Sequence, residues 1–192
     1  MHHFLKRKIS IVGVIVVATA SFLGTPGATG ATGATGANET SSPKPSASNP
    51  YGAGAIDPAG PNDPILVVTG SSKSQKFTMK DLLALKSEKI SLFEPFVKKR
   101  QQFSVIRLSY LFKTMGIKSW EKVVTRALNN YEYMNTASEF MAANGYLAIK
   151  RNGLDIPYDQ GGPIRLVYPD SSKWSKSLDP WNWSLESIYV GK

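Results

Sequence analysis

An abrupt change in composition near residue 64 constrains this chain more than any other feature of its sequence. Between residues 24 and 63, 34 of 40 residues are Gly, Ala, Ser, Thr, Pro or Asn. Such a segment has too few apolar side chains to offset the entropy lost when a chain becomes ordered. The sequence therefore predicts a disordered linker at residues 24–63 and leaves residues 64–192 for one folded domain.

The first 23 residues have the pattern of an export signal. Lys6, Arg7 and Lys8 precede an uncharged run from Ile9 to Leu23. At 15 residues, this run is shorter than the roughly 20 that cross a bilayer as a helix, so a cleaved signal fits better than a retained anchor. We expect an exported protein, whether periplasmic, on the cell surface or secreted. An uncleaved N-terminal segment is the one membrane contact that this pattern allows.

Two residue types that carry much of enzyme chemistry are scarce in this chain. It contains no cysteine, and its two histidines, His2 and His3, precede the apolar run. The folded domain therefore cannot form a disulfide, a thiolate metal site, a histidine metal site or a Ser-His-Asp triad. We predict no metal-ligating residues, and the sequence identifies no catalytic residue.

The folded part of the chain is basic. Residues 64–192 hold 19 Lys and Arg against 11 Asp and Glu, which gives a net charge of +8. A positive excess favours an anionic partner, such as an anionic small molecule or a component of the cell envelope. The charges are scattered, with a single run at Lys98-Lys99-Arg100, and export makes a nucleic acid a poor candidate.

The hydrophobic pattern predicts an α+β fold with a mixed, mostly antiparallel sheet and short helices. Thr78 is a candidate N-cap for a helix through Leu85, and the apolar spacing at 108–115 predicts a second helix that ends at Gly116. At Asn152-Gly153 the sequence predicts a tight hairpin turn. The predicted strands lie at residues 65–69, 122–128, 131–134, 146–150, 154–156, 164–168 and 184–190.

The order of these segments resembles the molybdopterin-binding domain of the sulfite oxidase family. The resemblance spans nearly all of residues 65–190 and is most specific where the Asn-Gly hairpin leads into Gly-Gly-Pro-Ile-Arg-Leu-Val-Tyr-Pro at 161–169 and then into a Trp-rich segment. The other matching segments are Phe77-Thr78 with Asp81-Leu82, Leu108 to Phe112 with Gly116, Ala127 to Tyr131, and Ala148. The resemblance implies the fold of that family and oxidoreductase chemistry.

The same resemblance makes molybdopterin the candidate cofactor but leaves molybdenum doubtful. Catalytic members of the family bind molybdenum through the pterin dithiolene and through a cysteine thiolate in a loop that precedes the helix matching 108–115. Here that loop, roughly residues 91–103, contains no cysteine. By analogy alone, Arg107 and Tyr131 lie near the cleft. Enzymatic activity therefore rests on resemblance only.

A Gly-Gly turn followed by an arginine forms one half of the candidate cofactor site. Gly161 and Gly162 would let backbone N–H groups approach a ligand, and Arg165 offers a planar donor for a phosphate or carboxylate. The structural alternative is a tight turn into a core strand, in which Arg165 caps a carbonyl group or pairs with Asp155 or Asp159. Both interpretations stay open at the level of sequence.

Two lysines and two tryptophans complete the candidate site. Lys173 and Lys176 flank Trp174 where family members carry lysines near the pterin phosphate. On a strand, Trp181 and Trp183 would project to one face and could form a stacking wall for a flat ring or a sugar. The alternatives are an exposed basic loop and two buried indoles.

Two classes of function remain. The first is an exported protein that binds a pterin or another anionic small molecule without cysteine-ligated molybdenum chemistry. The second is a non-catalytic domain on a flexible stalk that binds a cell-envelope partner. A hydrolase is a weaker hypothesis, because Asp155 and Asp159 lie in a hairpin with no supporting motif.

Overall fold

The structure is a computed structural model that describes residues 58–191. The predicted export signal at 1–23 and most of the predicted linker at 24–63 lie outside the described residues. Within the described part of the chain, no helix is long and apolar enough to cross a membrane.

Residues 58–191 form nine strands, three short helices and one 3-10 turn at Tyr158–Gln160. The helices are α1 (Met79–Ala84), α2 (Leu108–Thr114) and α3 (Ala137–Ala142). The strands are β1 (Leu66–Thr69), β2 (Ser74–Phe77), β3 (Glu88–Glu94), β4 (Lys99–Arg107), β5 (Lys122–Ala127), β6 (Glu132–Thr136), β7 (Tyr146–Arg151), β8 (Arg165–Val167) and β9 (Leu185–Val190).

The strands form two sheets. The larger sheet has the order β2-β1-β9-β5-β6, and the smaller sheet has the order β3-β4-β7-β8. Strands β1 and β9 pair in parallel, while every other pairing between described strands is antiparallel. The prediction of an α+β fold with a mixed, mostly antiparallel sheet and short helices is confirmed.

Local sequence signals explain where several elements begin and end. Thr78 caps α1 by accepting a hydrogen bond from the Asp81 N–H, and the Asp81 carboxylate accepts one from the Thr78 N–H in return. The hydrogen bond from the Thr78 N–H, followed by one from the Thr78 hydroxyl at 2.8 Å, lowers the pKa of Asp81. Gly116 follows α2 at a φ of 72°, and Asn152 and Gly153 turn the chain at φ values of 52° and 81°.

The core lies between the sheets and the helices and is rich in aromatic rings. Phe140 of α3 contacts the ring of Phe112 on α2 and the rings of Tyr133 and Trp174, all edge to face. Tyr168 directly follows β8, is fully buried, and contacts Trp174. Burial strongly raises the pKa of Tyr168, so its hydroxyl stays protonated and donates to the Pro180 carbonyl at 3.1 Å. This cluster fixes the segment after β8.

Two predictions about local structure were wrong, and the condition for a third interpretation is not met. Residues 154–156 form no strand, because Leu154 makes one isolated bridge to Arg151 and the chain then turns away. The region taken as a loop at 91–103 consists mainly of β3 and β4, which pair over seven residues around a turn at residues 95–98. Trp181 and Trp183 precede β9 rather than lying on a strand. In each case, tertiary contacts outweigh a short local pattern.

Candidate functional site

Both N–H groups of the Gly-Gly turn donate to carbonyl groups of the protein. The 3-10 turn leads into Gly161 at a φ of 82°, a conformation that favours glycine. The Gly162 N–H donates to the Pro157 carbonyl at 2.9 Å. A Cβ added at Gly162 would lie 1.8 Å from the Ile156 carbonyl oxygen. Close approach of backbone to backbone therefore explains the need for glycine at residue 162.

Arg165 is in the interior of the domain. Its side chain is fully buried, as is that of Glu94 at the end of β3, and Arg165 Nη2 lies 3.0 Å from Glu94 Oε1. The guanidinium also lies over the Trp183 ring, 4.6 Å from its centroid. The structural alternative predicted Asp155 or Asp159 as the partner of Arg165. This prediction was wrong, because the acid paired with Arg165 is Glu94, 71 residues away in the sequence.

The two lysines of the predicted site contact a different part of the fold. Lys173 forms an ion pair with Glu139 of α3 and lies 5.4 Å from the Trp174 ring centroid. Lys176 is exposed. Among the described contacts, none joins either lysine to Arg165. Arg165 and Lys173 therefore have different acidic partners, Glu94 and Glu139 respectively.

The two tryptophans lie beside each other but differ in burial. Trp181 is buried at 3% exposure, and its indole N–H donates to the Trp174 carbonyl at 2.8 Å. Trp183 is half-buried and packs against Phe96 from the turn between β3 and β4. Glu94, Phe96, Arg165 and Trp183 thus form a group, here called the interior cluster, in which the ion pair is fully buried and the two rings are half-buried.

Both tryptophans line an open groove of about 290 Å³, here called the aromatic groove. Tyr131, which the resemblance placed near the cleft, also lines it and donates its hydroxyl to the Asp179 carbonyl at 3.0 Å. Burial, and secondarily the charge of Asp179, raises the pKa of Tyr131. The residues that line the groove are Phe96, Ala127, Asn129, Tyr131, Leu178, Asp179, Trp181, Asn182 and Trp183.

A second groove, of about 310 Å³, lies beside the same β3–β4 turn and is here called the basic groove. It is lined by Val97, Lys99, Arg100, Gln101, Arg151, Asn152 and Gln160. Among these described residues there are three cations and three side-chain amides, and none carries a carboxylate. Their chemistry suits an anion, because every polar side chain among them can donate a hydrogen bond.

Local contacts orient the side chains of the basic groove. Arg100 pairs with Asp170 at 2.6 Å, while Arg151 donates to the side-chain oxygen of Gln160. The Asp170 carboxylate accepts from the Phe93 N–H at 2.7 Å, and this hydrogen bond followed by that from Arg100 lowers the pKa of Asp170. Lys99 forms no ion pair with a described residue. A cationic rim is thus held in place on the surface of the smaller sheet.

The sequence matches the family described as the oxidoreductase molybdopterin binding domain over residues 55–184, which is 130 of the 192 residues. The chain belongs to this family. The resemblance inferred from the sequence is confirmed.

A solved structure with a similar fold is the crystal structure of the sulfane dehydrogenase SoxCD from Paracoccus pantotrophus. The two share 18% sequence identity at a TM-score of 0.57, over 71% of this chain and 40% of the other. At that identity the likeness shows the fold, and this chain spans less than half of the length of that relative. A search of the curated proteins finds no match.

The residues present do not fit the molybdenum cofactor in the way that the resemblance implied. A molybdopterin-binding domain without cysteine cannot supply a thiolate to the metal. The described residues also contain no group of three or more Asp, Glu, His or Cys side chains that could hold a metal ion. Arg165, the predicted phosphate ligand, is buried against Glu94. No reaction step through molybdenum is derived for this chain.

Sequence reasoning missed the residues that determine this region. Glu94 had no signal, since a single glutamate between apolar residues predicts an exposed side chain. Lys99 and Arg100 were visible as part of the basic run, but nothing local connects that run to Arg151 in the hairpin. Arg107, placed near the cleft by analogy, pairs with Glu88 at 2.7 Å and lines a separate pocket of about 370 Å³ together with Tyr110.

Proposed function

We propose that this molybdopterin-binding domain is a non-redox binding protein that holds an anionic small molecule, such as a pterin phosphate, in the basic groove. The observation that carries the proposal is the set of three cations and three amides around one groove, with no carboxylate among the lining residues. A volume of about 310 Å³ is at the small end of ordinary ligand sites. The absence of cysteine is what argues against a redox role.

The groove offers contacts of two kinds. Arg100 and Arg151 are oriented by Asp170 and Gln160, so they would lose little freedom when an anion binds. Lys99 has no such restraint and would supply a mobile charge. Each charge-assisted hydrogen bond to a bound anion contributes roughly 1.5–3 kcal/mol. Two such contacts correspond to a Kd between several millimolar and tens of micromolar.

Export is part of the same proposal. The basic residues at 6–8 and the uncharged run at 9–23 support a signal segment, and residues 24–63 have the composition of a flexible tether. An exported binding domain on a tether would meet anionic small molecules outside the cytoplasm. For both segments, the support for this proposal comes from the amino-acid sequence alone.

The test is calorimetric titration of the full chain with inorganic phosphate and with a pterin phosphate. We expect Lys99→Ala and Arg151→Ala each to weaken binding about tenfold, as loss of one charge-assisted contact requires. Lys80→Ala, which removes an exposed lysine from α1, is the matched control and should leave the affinity unchanged.

A second comparison separates this site from the one predicted from the sequence. The Lys173→Ala/Lys176→Ala double variant removes the two lysines that lie apart from the basic groove, so it should bind both probes as the wild type does. If neither probe binds, or if binding follows Lys173 and Lys176 rather than Lys99 and Arg151, the proposal is overturned. Absence of binding would favour the alternative of a domain that binds a cell-envelope partner.

A further inference from the structure

Three polar side chains of the basic groove project from one face of the smaller sheet. Lys99 and Gln101 are two residues apart on β4, so they lie on the same side of that strand. Phe103, the next residue on that side, pairs with Arg151 of β7. Gln101 and Arg151 are therefore diagonal neighbours, about 7–8 Å apart and within reach of long side chains. One small ion can contact an amide and two cations here.

A buried carboxylate fixes the orientation of the Gln101 amide. Gln101 Nε2 donates to Glu94 Oε2 at 2.9 Å, and the Glu94 side chain is fully buried beside Arg165. The opposite orientation of the amide would place its oxygen against an oxygen of the carboxylate, which is repulsive. Gln101 Oε1 accepts no hydrogen bond from a described residue, and it is not enclosed in the interior. A free acceptor therefore belongs to the lining of the basic groove.

The other two amides of the groove have the opposite polarity. Gln160 Oε1 accepts a hydrogen bond from Arg151, and Asn152 Oδ1 accepts one from the Gln102 N–H at 3.0 Å. Because their oxygens are engaged, the N–H groups of both amides remain to donate. Among the described side chains that line the groove, Gln101 thus presents an acceptor where the others present donors.

We propose that the basic groove selects an oxyanion that carries a proton, such as inorganic phosphate, over one that carries none, such as sulfate. This inference rests on the proposed function and narrows its ligand. The two ions share a tetrahedral shape, but at pH 7 phosphate keeps a P–OH group, whereas sulfate has only acceptor oxygens. The P–OH group donates to Gln101 Oε1, and a sulfate oxygen in the same place is repelled. The cations attract both ions, so the selectivity comes from Gln101.

The experiment is calorimetric titration of the full chain with sodium phosphate and with sodium sulfate at pH 7 and equal ionic strength. We expect the wild type to bind phosphate about tenfold more tightly, through one hydrogen bond gained and one repulsion avoided. Gln101→Met keeps the length of the side chain and removes the acceptor, so phosphate binding should weaken to within about twofold of sulfate binding. Sulfate binding should not weaken in this variant.

Gln160→Met is the matched control, because it makes the same change at a groove amide whose oxygen is already engaged by Arg151. It should weaken the binding of both ions by similar factors and preserve the preference for phosphate. Should Gln101→Met fail to fold, the wild-type ratio of the two affinities still tests the selectivity.

The inference is overturned if the wild type binds the two ions within about twofold of each other, or if Gln101→Met keeps the preference for phosphate. In either case the proposed function would stand, because an anion would still bind in the basic groove. If neither ion binds, the proposed function and this inference both fail.

Discussion

The interior cluster and the basic groove both place arginine side chains beside the β3–β4 turn, but they use the positive charge differently. The Arg165 side chain has no exposure and is paired with an equally buried Glu94. The Arg100 side chain is 57% exposed and pairs with Asp170, which is itself 45% exposed. The same residue type thus contributes to the interior in one place and remains available to solvent in the other.

The difference between these two regions has a physical cause. A guanidinium taken out of water loses its hydration, and a partner at 3.0 Å offsets part of that loss through strong attraction in a medium of low dielectric constant. At the surface, water screens the same attraction and the pair contributes little. Whether an arginine can bind a ligand is therefore decided by burial and by its partner, not by the motif around it.

Removing the acid of the interior cluster should produce the largest effect. Glu94→Ala removes the carboxylate that neutralises the buried Arg165 charge, so we expect the free energy of unfolding to fall by about 3–5 kcal/mol. Urea denaturation of the wild type and the variant measures this difference. Asp170→Ala, which removes the acid paired with the exposed Arg100 beside the basic groove, is the matched control and should cost less than about 1 kcal/mol.

A double variant sharpens this prediction. Glu94→Leu combined with Arg165→Met replaces the pair with apolar side chains, and it should be more stable than Glu94→Ala because no buried charge remains. A loss below about 1 kcal/mol in Glu94→Ala would show that Arg165 is hydrated, and the contrast between the two regions would then fail.

Salt should affect the two regions differently, and this effect is expected to be smaller than that of Glu94→Ala. Raising NaCl from about 0.05 to 0.5 M shortens the Debye length from about 14 to 4 Å, so phosphate binding in the basic groove should weaken roughly tenfold. The stability difference between wild type and Glu94→Ala should change by less than about 0.5 kcal/mol, since a buried pair is hardly screened. Titration and denaturation at both salt concentrations measure these quantities. If phosphate binding and the stability difference depended equally on salt, the contrast between the basic groove and the interior cluster would fail.

The smallest expected effect concerns the acid at the edge of the basic groove. The Phe93 N–H and then Arg100 lower the pKa of Asp170, so its carboxylate stabilises the fold above its unfolded pKa, and this contribution is lost as the pH falls through the lower, folded value. Since Asp170 is largely exposed, Asp170→Asn should cost less than about 1 kcal/mol at pH 7. The difference between wild type and variant should shrink as the pH falls below about 3.9. A difference that grows on acidification would contradict the lowered pKa.

Much of the fold could be predicted because its signals are local. Thr78 and Asp81 lie three residues apart and form the capping box that begins α1. The apolar spacing that predicts a helix over 108–115 matches α2 within one residue, and Asn152-Gly153 turns the chain as predicted. Strands β2, β3 and β4 and helix α3 were not predicted, because their polar and charged residues obscure the hydrophobic pattern.

The sequence by itself determined the family, the α+β class and the exclusion of thiolate and imidazole chemistry, since these follow from residue order and from residues that are absent. Tertiary structure alone decided what Arg165 does. Its partner lies 71 residues earlier in the chain, and the two meet because β3 and β8 belong to one sheet, where Glu94 and Arg165 are both buried. Tertiary structure also decided that Lys99 and Arg151 line one groove while Tyr131 and Trp183 line another. Burial and charge pairing depend on such distant contacts, which no short segment of sequence encodes.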